Sequence, residues 1–295
     1  MALIVKMLPD TEIMGDLTDK FNAFPKEILL YAKIIPALEE IWMKAGYPVE
    51  FGPKMYFTAE NPKSVIVMDD LKALGYKMVP RQMGLSLEEG KTVLAKLAKF
   101  HAASVIYYDQ NGLNYDLLKE GTVRKNVKNE LETYYNAMYN AYKISQAEST
   151  TFNVLNHGDA WTNNLMFNYQ NEHPEVLCVD YQLSSWASPA IDLLYFLICA
   201  MNPDTLVKHF DDMIKFYHKE LSSNFVKLQK PEKIPTLEEI EKVIRRKGFL
   251  GGMWIIETVP LINANSDFVL DLPAVFEGSE KDFGNKREES IERKL

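Results

Sequence analysis

The chain has 295 residues, 47% hydrophobic and 25% charged, which is the composition of a globular protein with one large or two modest cores. Its net charge of −8 argues against generic binding to nucleic acid or to an anionic membrane, since both rely on a Lys/Arg surplus over one face. Two cysteines, Cys178 in a strand pattern and Cys199 in a helix pattern, with no Asn-x-Ser/Thr sequon, support neither a disulfide framework nor a thiolate metal site and read as buried reduced thiols.

The first predicted element is a strand over Ala2 to Met7, with Ile4 and Lys6 on one face and Leu3, Val5 and Met7 on the other. Its apolar run stops at Pro9 and Asp10, too soon for a secretory signal, and no later segment reaches membrane-spanning length, so the cytoplasm is the expected compartment. A polar turn region runs to Asp19. The stretch FNAFPKEILLYAKIIPALEEIWMKAG then predicts a helix with Pro25 at its first position, Glu27, Tyr31 and Ile34/Ile35 on adjacent turns of one face, and a break or restart at Pro36. Glu27 has two readings: an acid of a first helical turn that complements the macrodipole, or the ion-pair partner of Lys6. Lys6 has the matching pair of readings, a solvated side chain or a phosphate ligand.

Strands are expected at Lys54–Thr58 and Ser64–Met68, the second leading into Asp69, Asp70 and Leu71. Beyond Gly75 the pattern turns helical. Ser86 and Glu89 form a capping box, and Val93, Leu94, Leu97, Ala98 and Phe100 mark a buried face on which His101 reads as a packed, hydrogen-bonded core residue. A tyrosine-rich helix is expected over Val123 to Ile144, where Tyr134, Tyr135, Tyr139 and Tyr142 read as half-buried packing.

The chemistry concentrates between Leu155 and Gln182, in LNHGDAWTNNLMFNYQNEHPEVLCVDYQ. A loop carries His157, Gly158 and Asp159, Asn164 follows five residues later, and after a turn a short apolar strand ends in Asp180. Oxygen-rich side chains flanked by apolar anchors need a cation or a reacting hydroxyl as partner. An H-x-D-x-x-x-x-N loop followed by a strand-terminal Asp is the constellation of phosphoryl transfer, one Asp orienting the attacking hydroxyl and Asn with the second Asp holding Mg²⁺ on nucleotide phosphates. Pro189 then opens an apolar helix, AIDLLYFLICAM, whose Asp192 needs a partner, the backbone of the loop being the natural one. Further helices are expected at Asp204–Leu221, Thr236 to about Leu250, and on to Ala264; the charge-dense tail from Glu277 to Leu295 is expected to fray into solvent.

A strand-rich start followed by a helical remainder that encloses the carboxylate hairpin is the organisation of a two-lobed kinase. The chain resembles the ecdysteroid-kinase-like family of small-molecule kinases, related to choline and aminoglycoside kinases. The residues that carry the resemblance are LIVKMLP with Lys6, F-P-K-E-x-x-x-Y with Glu27 and Tyr31, VMDDL, LAKFHA around His101, HGDAWTNNLMF, CVDYQ and SPAIDLLYF. The resemblance implies an α+β, protein-kinase-like two-lobed fold: a small antiparallel-sheet lobe over 1–75, shorter than the family's, a helical lobe over 76–276, and the tail 277–295.

It implies an ATP-dependent, Mg²⁺-requiring phosphotransferase. Asp159 would orient the acceptor hydroxyl, Asn164 and Asp180 would hold the metal, Lys6 would bind phosphate with Glu27 as its partner, and backbone near Asp69, Asp70 and Leu71 would meet the adenine. His157 and Asp192 would shape the loop. The acceptor it implies is a small molecule bearing a hydroxyl, a steroid alcohol or a hydroxylated xenobiotic ahead of a choline- or ethanolamine-type cation, with neither nucleic acid nor membrane as partner. The dozen or so residues between Asp180 and Asp192 are too few to seat a polypeptide, Gly158 stands where protein kinases carry an Arg, and Trp161, Trp186 and Trp254 suggest an apolar acceptor.

The family places a glycine-rich hairpin before the lysine strand, and here the chain starts at that strand, so weak ATP binding or a pseudokinase acting as a binding module is the alternative expectation. A metal-dependent hydrolase with His157, Asp159 and Asp180 as ligands is a rival; His173 is the only nearby addition to its ligand set.

Overall fold

The computed structural model describes residues 2–7, 22–59, 64–112, 115–119, 146, 148 and 151–264. The turn region 8–19, the tyrosine-bearing stretch 123–144 and the tail 277–295 lie outside the described residues.

Strands β1 (Leu3–Met7), β2 (Met55–Ala59) and β3 (Val65–Asp69) form an antiparallel sheet in the order β1-β3-β2, with Lys6 opposite Ile66. The two-residue alternation holds on β3, where Ile66 and Met68 are buried. It fails on β1: Leu3, Ile4, Val5 and Met7 are all exposed, and the lysine is the member that turns inward.

Helix α1 (Ala23–Leu29) passes through a π-helical turn at Leu30–Ile34 into α2 (Ile35–Lys44). Pro36 causes the widened turn, because it supplies no N–H to the carbonyl one turn back, and the helix restarts with Pro36 in its first turn. Pro25 is the third helical residue rather than the first, still within the turn whose N–H groups have no helical acceptor. Glu27 consequently lies beyond the first turn and is 1% exposed, so the macrodipole reading of this acid is corrected: it is a buried carboxylate.

Helix α3 (Leu87–Asn111) starts at the Ser86–Glu89 capping box, with both reciprocal hydrogen bonds made, and buries Val93, Leu94, Leu97, Ala98, Phe100 and His101. Two short ladders follow. Strand β4 (Val154–Asn156) pairs with β7 (Ser185–Ala187), and between them β5 (Leu165–Asn168) pairs with β6 (Glu175–Cys178). Helix α4 (Ala190–Ala200) is buried at every position but Ile198, as its all-round apolar sequence requires, with Pro189 just outside its first turn. It packs on α5 (Pro203–Lys227) and α6 (Leu237–Glu257), and α5 lies along α3; the short α7 (Val259–Asn263) follows α6.

The fold is α+β: one three-stranded antiparallel sheet, two two-stranded ladders and a helical majority among the described residues. Among the described residues no helix is long and apolar enough to cross a membrane.

Candidate active site

The loop after β4 is built on one buried acid. Asp192, in the first turn of α4, accepts the backbone amides of His157 (2.7 Å, Oδ2) and Gly158 (2.8 Å, Oδ1) and is bonded to His101 Nε2 at 3.0 Å, while His101 Nδ1 faces the Tyr217 hydroxyl at 2.8 Å. Burial pushes the Asp192 carboxyl up, but the hydrogen bond and charge of His101, with His157 and the Gly158 amide, outweigh it and hold the carboxyl below its ordinary range. The loop partner expected for Asp192 is therefore present, and His101 is the packed, bonded residue its helix implied. Asn156 adds a second tie, its amide reaching the Ala187 carbonyl across the ladder and its Oδ1 accepting from Asp192 N.

His157 is turned away from reaction. Its Nδ1 accepts from the Asp159 amide at 3.2 Å, so Nε2 carries the proton donated to the Val179 carbonyl at 3.1 Å, and burial keeps the ring's pKa low. With both nitrogens occupied it is not a metal ligand. His173 lies on the surface near Glu88, and among the described residues no three His, Cys, Asp or Glu side chains converge as a metal site. The hydrolase reading loses its ligand set.

Asp159 presents both carboxylate oxygens to named donors: Oδ2 accepts from Asn164 Nδ2 at 2.9 Å and Oδ1 from the Tyr195 hydroxyl at 2.7 Å. Burial raises its pKa to about 6, with the Asp180 charge adding to the rise and the two hydrogen bonds opposing it. Asn164, buried in the turn before β5, spends its NH2 on the Asp159 carbonyl and carboxylate. Its Oδ1 has no hydrogen-bond partner among the described residues and is the kind of hard oxygen a divalent cation takes.

Asp180 follows β6 in the left-handed region, φ 66° and ψ 64°, a conformation that costs about 1–3 kcal/mol for a non-glycine residue and collects at functional sites. The amide of Val179 donates to the Asn164 carbonyl at 3.0 Å, which locks the Asp180 segment to the Asn164 turn. Asp180 Oδ1 accepts from Lys6 Nζ at 3.0 Å, and the same ammonium donates to Glu27 Oε2 at 2.7 Å. Burial alone would lower the Lys6 pKa, yet the charges of Glu27 and Asp180 raise it, so the ammonium stays charged; burial drives the Glu27 carboxyl up toward about 7 against the pull of Lys6. Lys6, Glu27 and Asp180 are thus brought together from three segments, next to the Asp159–Asn164 pair.

The backbone from Asp69 to Leu71, expected to meet the adenine, is partly paired within the protein: Asp69 N–H donates to the Lys54 carbonyl and Asp70 N–H to the Ala2 carbonyl. The Asp69 carboxylate accepts from Tyr56 and that of Asp70 from the Lys72 amide. Leu71 is the one of the three whose amide has no backbone acceptor among the described residues, and its side chain packs with Met166 and Leu177 of the β5–β6 ladder. Trp254 meets Tyr195 edge-on at 5.1 Å, Trp161 follows Asp159 by two residues, and Trp186 stacks on Tyr108 at 4.4 Å.

Tyr195 was not among the expected site residues. The signal for it was its position three residues after Asp192, which puts it on the loop-facing side of α4.

The sequence profile of the ecdysteroid kinase-like family matches residues 1–148 and 131–230. Among solved structures, the chain is similar to an ethanolamine kinase of Plasmodium vivax (12% identity, TM-score 0.38, 86% of this chain and 76% of that one). It is similar to a choline kinase of Streptococcus pneumoniae (12%, 0.40, 85% and 86%). It is also similar to a macrolide 2'-phosphotransferase of Brachybacterium faecium (10%, 0.40, 90% and 86%). No curated protein matches it.

Proposed function

We propose that this chain, which belongs to the ecdysteroid kinase-like family, transfers the γ-phosphoryl group of ATP to a hydroxyl of a small molecule. The observation that carries the reading is the bridge made by Lys6 between Glu27 and Asp180, 21 and 174 residues away in sequence, beside an aspartate and an asparagine already bonded to each other. A lysine held between two carboxylates is placed to meet phosphate oxygens once one carboxylate turns to a metal.

The chain's own residues divide the work. Glu27 fixes the lysine. Asn164 Oδ1 and the Asp180 carboxylate form a pair of hard oxygens suited to Mg²⁺, which when bound would offset charge on the β- and γ-phosphate oxygens. Asp159 orients the acceptor hydroxyl and takes its proton, and its carboxylate is fixed at both oxygens before any substrate arrives. The Leu71 amide over the Leu71–Met166–Leu177 cluster is suited to one edge of the adenine. A steroid alcohol or hydroxylated xenobiotic is the acceptor class that the family name and the Trp161 and Trp254 side chains favour.

Mg²⁺-dependent thermal stabilisation by ATP tests the reading, since a ligand at 100 times its Kd adds about 2.7 kcal/mol to the folded state. The expected result is a rise in Tm with MgATP that is lost in Asp180→Asn. A Tm unmoved at millimolar MgATP defeats the kinase reading in favour of a nucleotide-free binding module.

A further inference from the structure

Asp159 has two oxygens facing two neighbourhoods. Oδ2 is held by Asn164, on the side of the proposed metal and nucleotide; Oδ1, the oxygen left to receive an acceptor's proton, is covered by the Tyr195 hydroxyl at 2.7 Å. The phenol is a built feature of the site. It projects from α4 one turn beyond Asp192, the residue that fastens the loop amides to the same helix, so loop and phenol hold a fixed relation. Tyr195 is 7% exposed, and its ring stands edge-on to Trp254 of α6, with the planes at 88°.

We infer that Tyr195 is an acceptor-side gate, its hydroxyl occupying the position on Asp159 Oδ1 that the acceptor hydroxyl takes and so keeping water from that position while the acceptor is absent. The inference rests on the phosphotransferase reading of the site. The reaction it suppresses is hydrolysis: the water oxygen bonds to the γ-phosphorus, the bond from that phosphorus to the β–γ bridging oxygen breaks, ADP leaves with the electron pair, and the water's proton passes to Asp159. Tyr195 cannot replace Asp159 as base, because burial, with the Asp159 charge, pushes the phenol far above its ordinary range and keeps it a donor. The acceptor hydroxyl takes Asp159 Oδ1 by displacing the phenol hydroxyl from it.

The test uses the full chain, MgATP and water, with no acceptor needed. Phosphate release is measured for the wild type, Tyr195→Phe, Trp254→Phe and the double variant Tyr195→Phe/Asp159→Asn, with MgATP binding followed in each by thermal shift. Tyr195→Phe keeps the ring against Trp254 and removes only the hydroxyl; it is expected to hydrolyse MgATP about ten-fold faster than the wild type with an unchanged thermal shift, a modest share of what a positioned base contributes. Asp159→Asn in that background should return the rate to the wild-type level or below. Trp254→Phe, which leaves the hydroxyl but loosens its support, should fall between the wild type and Tyr195→Phe. Equal or slower hydrolysis by Tyr195→Phe while MgATP still binds overturns the gate, as does a larger rise in Trp254→Phe than in Tyr195→Phe. Absence of any MgATP shift in the wild type is a different failure, visible before any variant is made: it removes the phosphotransferase reading, and the gate falls with it.

Discussion

A Cβ on Gly158 would stand 2.2 Å from the carbonyl oxygen of Leu183, and Gly158 has φ of +84°. Both facts forbid a side chain, and the colliding atom is backbone that cannot swing away. The glycine between His157 and Asp159 is therefore fixed by the close passage of the Tyr181–Leu183 turn under the loop, which supplies a steric reason for the missing arginine. Gly158→Ala is expected to destabilise the protein by more than about 3 kcal/mol, read from the denaturant midpoint. A loss under about 1 kcal/mol would show that the loop relaxes freely and that the fixed geometry argued for Asp159 is wrong.

How far the site was legible in the sequence depends on which groups have alternatives. Lys6 and Glu27 were legible as partners because a charge within an apolar strand and one on an apolar helix face each need the other. Asp192 was legible because a carboxylate in a fully apolar helix must find N–H donors, and the loop offered them. Tyr195 was marked only through Asp192: a helix apolar all round singles out no face of its own, and the cue is that Tyr195 follows that acid by three residues. The pairing of the Asp69 and Asp70 amides with the Lys54 and Ala2 carbonyls depended on strand register, which the residues alone do not fix. Composition could not show that Trp186 stacks on Tyr108.

Replacing Asp192 removes the acceptor of three buried donors at once. Asp192→Ala is expected to cost about 3–5 kcal/mol, the range for leaving a buried charged network without one partner. The sign of its pH dependence follows from a carboxyl held low in the folded state: its stability is fully present above the unfolded pKa of about 3.9 and is lost as pH falls below that. Between about pH 5 and pH 3 the wild type should lose stability more steeply than Asp192→Asn. Parallel Tm curves over that range would contradict the assignment of His101 and the two loop amides as its stabilising partners.

Asp159 has the opposite sign. Its folded pKa of about 6 lies above the unfolded value, so the folded state favours the protonated acid and loses stability as pH rises through about 6. Asp159→Asn should therefore be more stable than the wild type at pH 8, by about 1–2 kcal/mol, with the gain shrinking toward pH 5. The same variant is expected to bind MgATP and to transfer no phosphoryl group. A gain that is the same at both pH values would mean that the carboxylate is not held against its own ionisation by burial.

Lys6 is the most informative single substitution, because its two carboxylates differ in exposure. The Glu27 side chain is 2% exposed and the Asp180 side chain 28% exposed, so removing the ammonium strands the first and merely loosens the second. Lys6→Met is expected to cost about 1–3 kcal/mol, less than a fully buried pair since the lysine is itself 32% exposed. The cost should grow with pH: without the ammonium that pulls its pKa down, the Glu27 carboxyl is raised further above the unfolded value, and a raised acid loses stability as pH climbs through its folded pKa. The double variant Lys6→Met/Glu27→Gln removes the stranded charge and should regain most of the loss while remaining inactive. If Lys6→Met alone is as stable as the wild type from pH 6 to pH 9, or if the double variant recovers nothing, then Glu27 is not held in place by Lys6 and the bridge from Glu27 through Lys6 to Asp180 has no energetic reality.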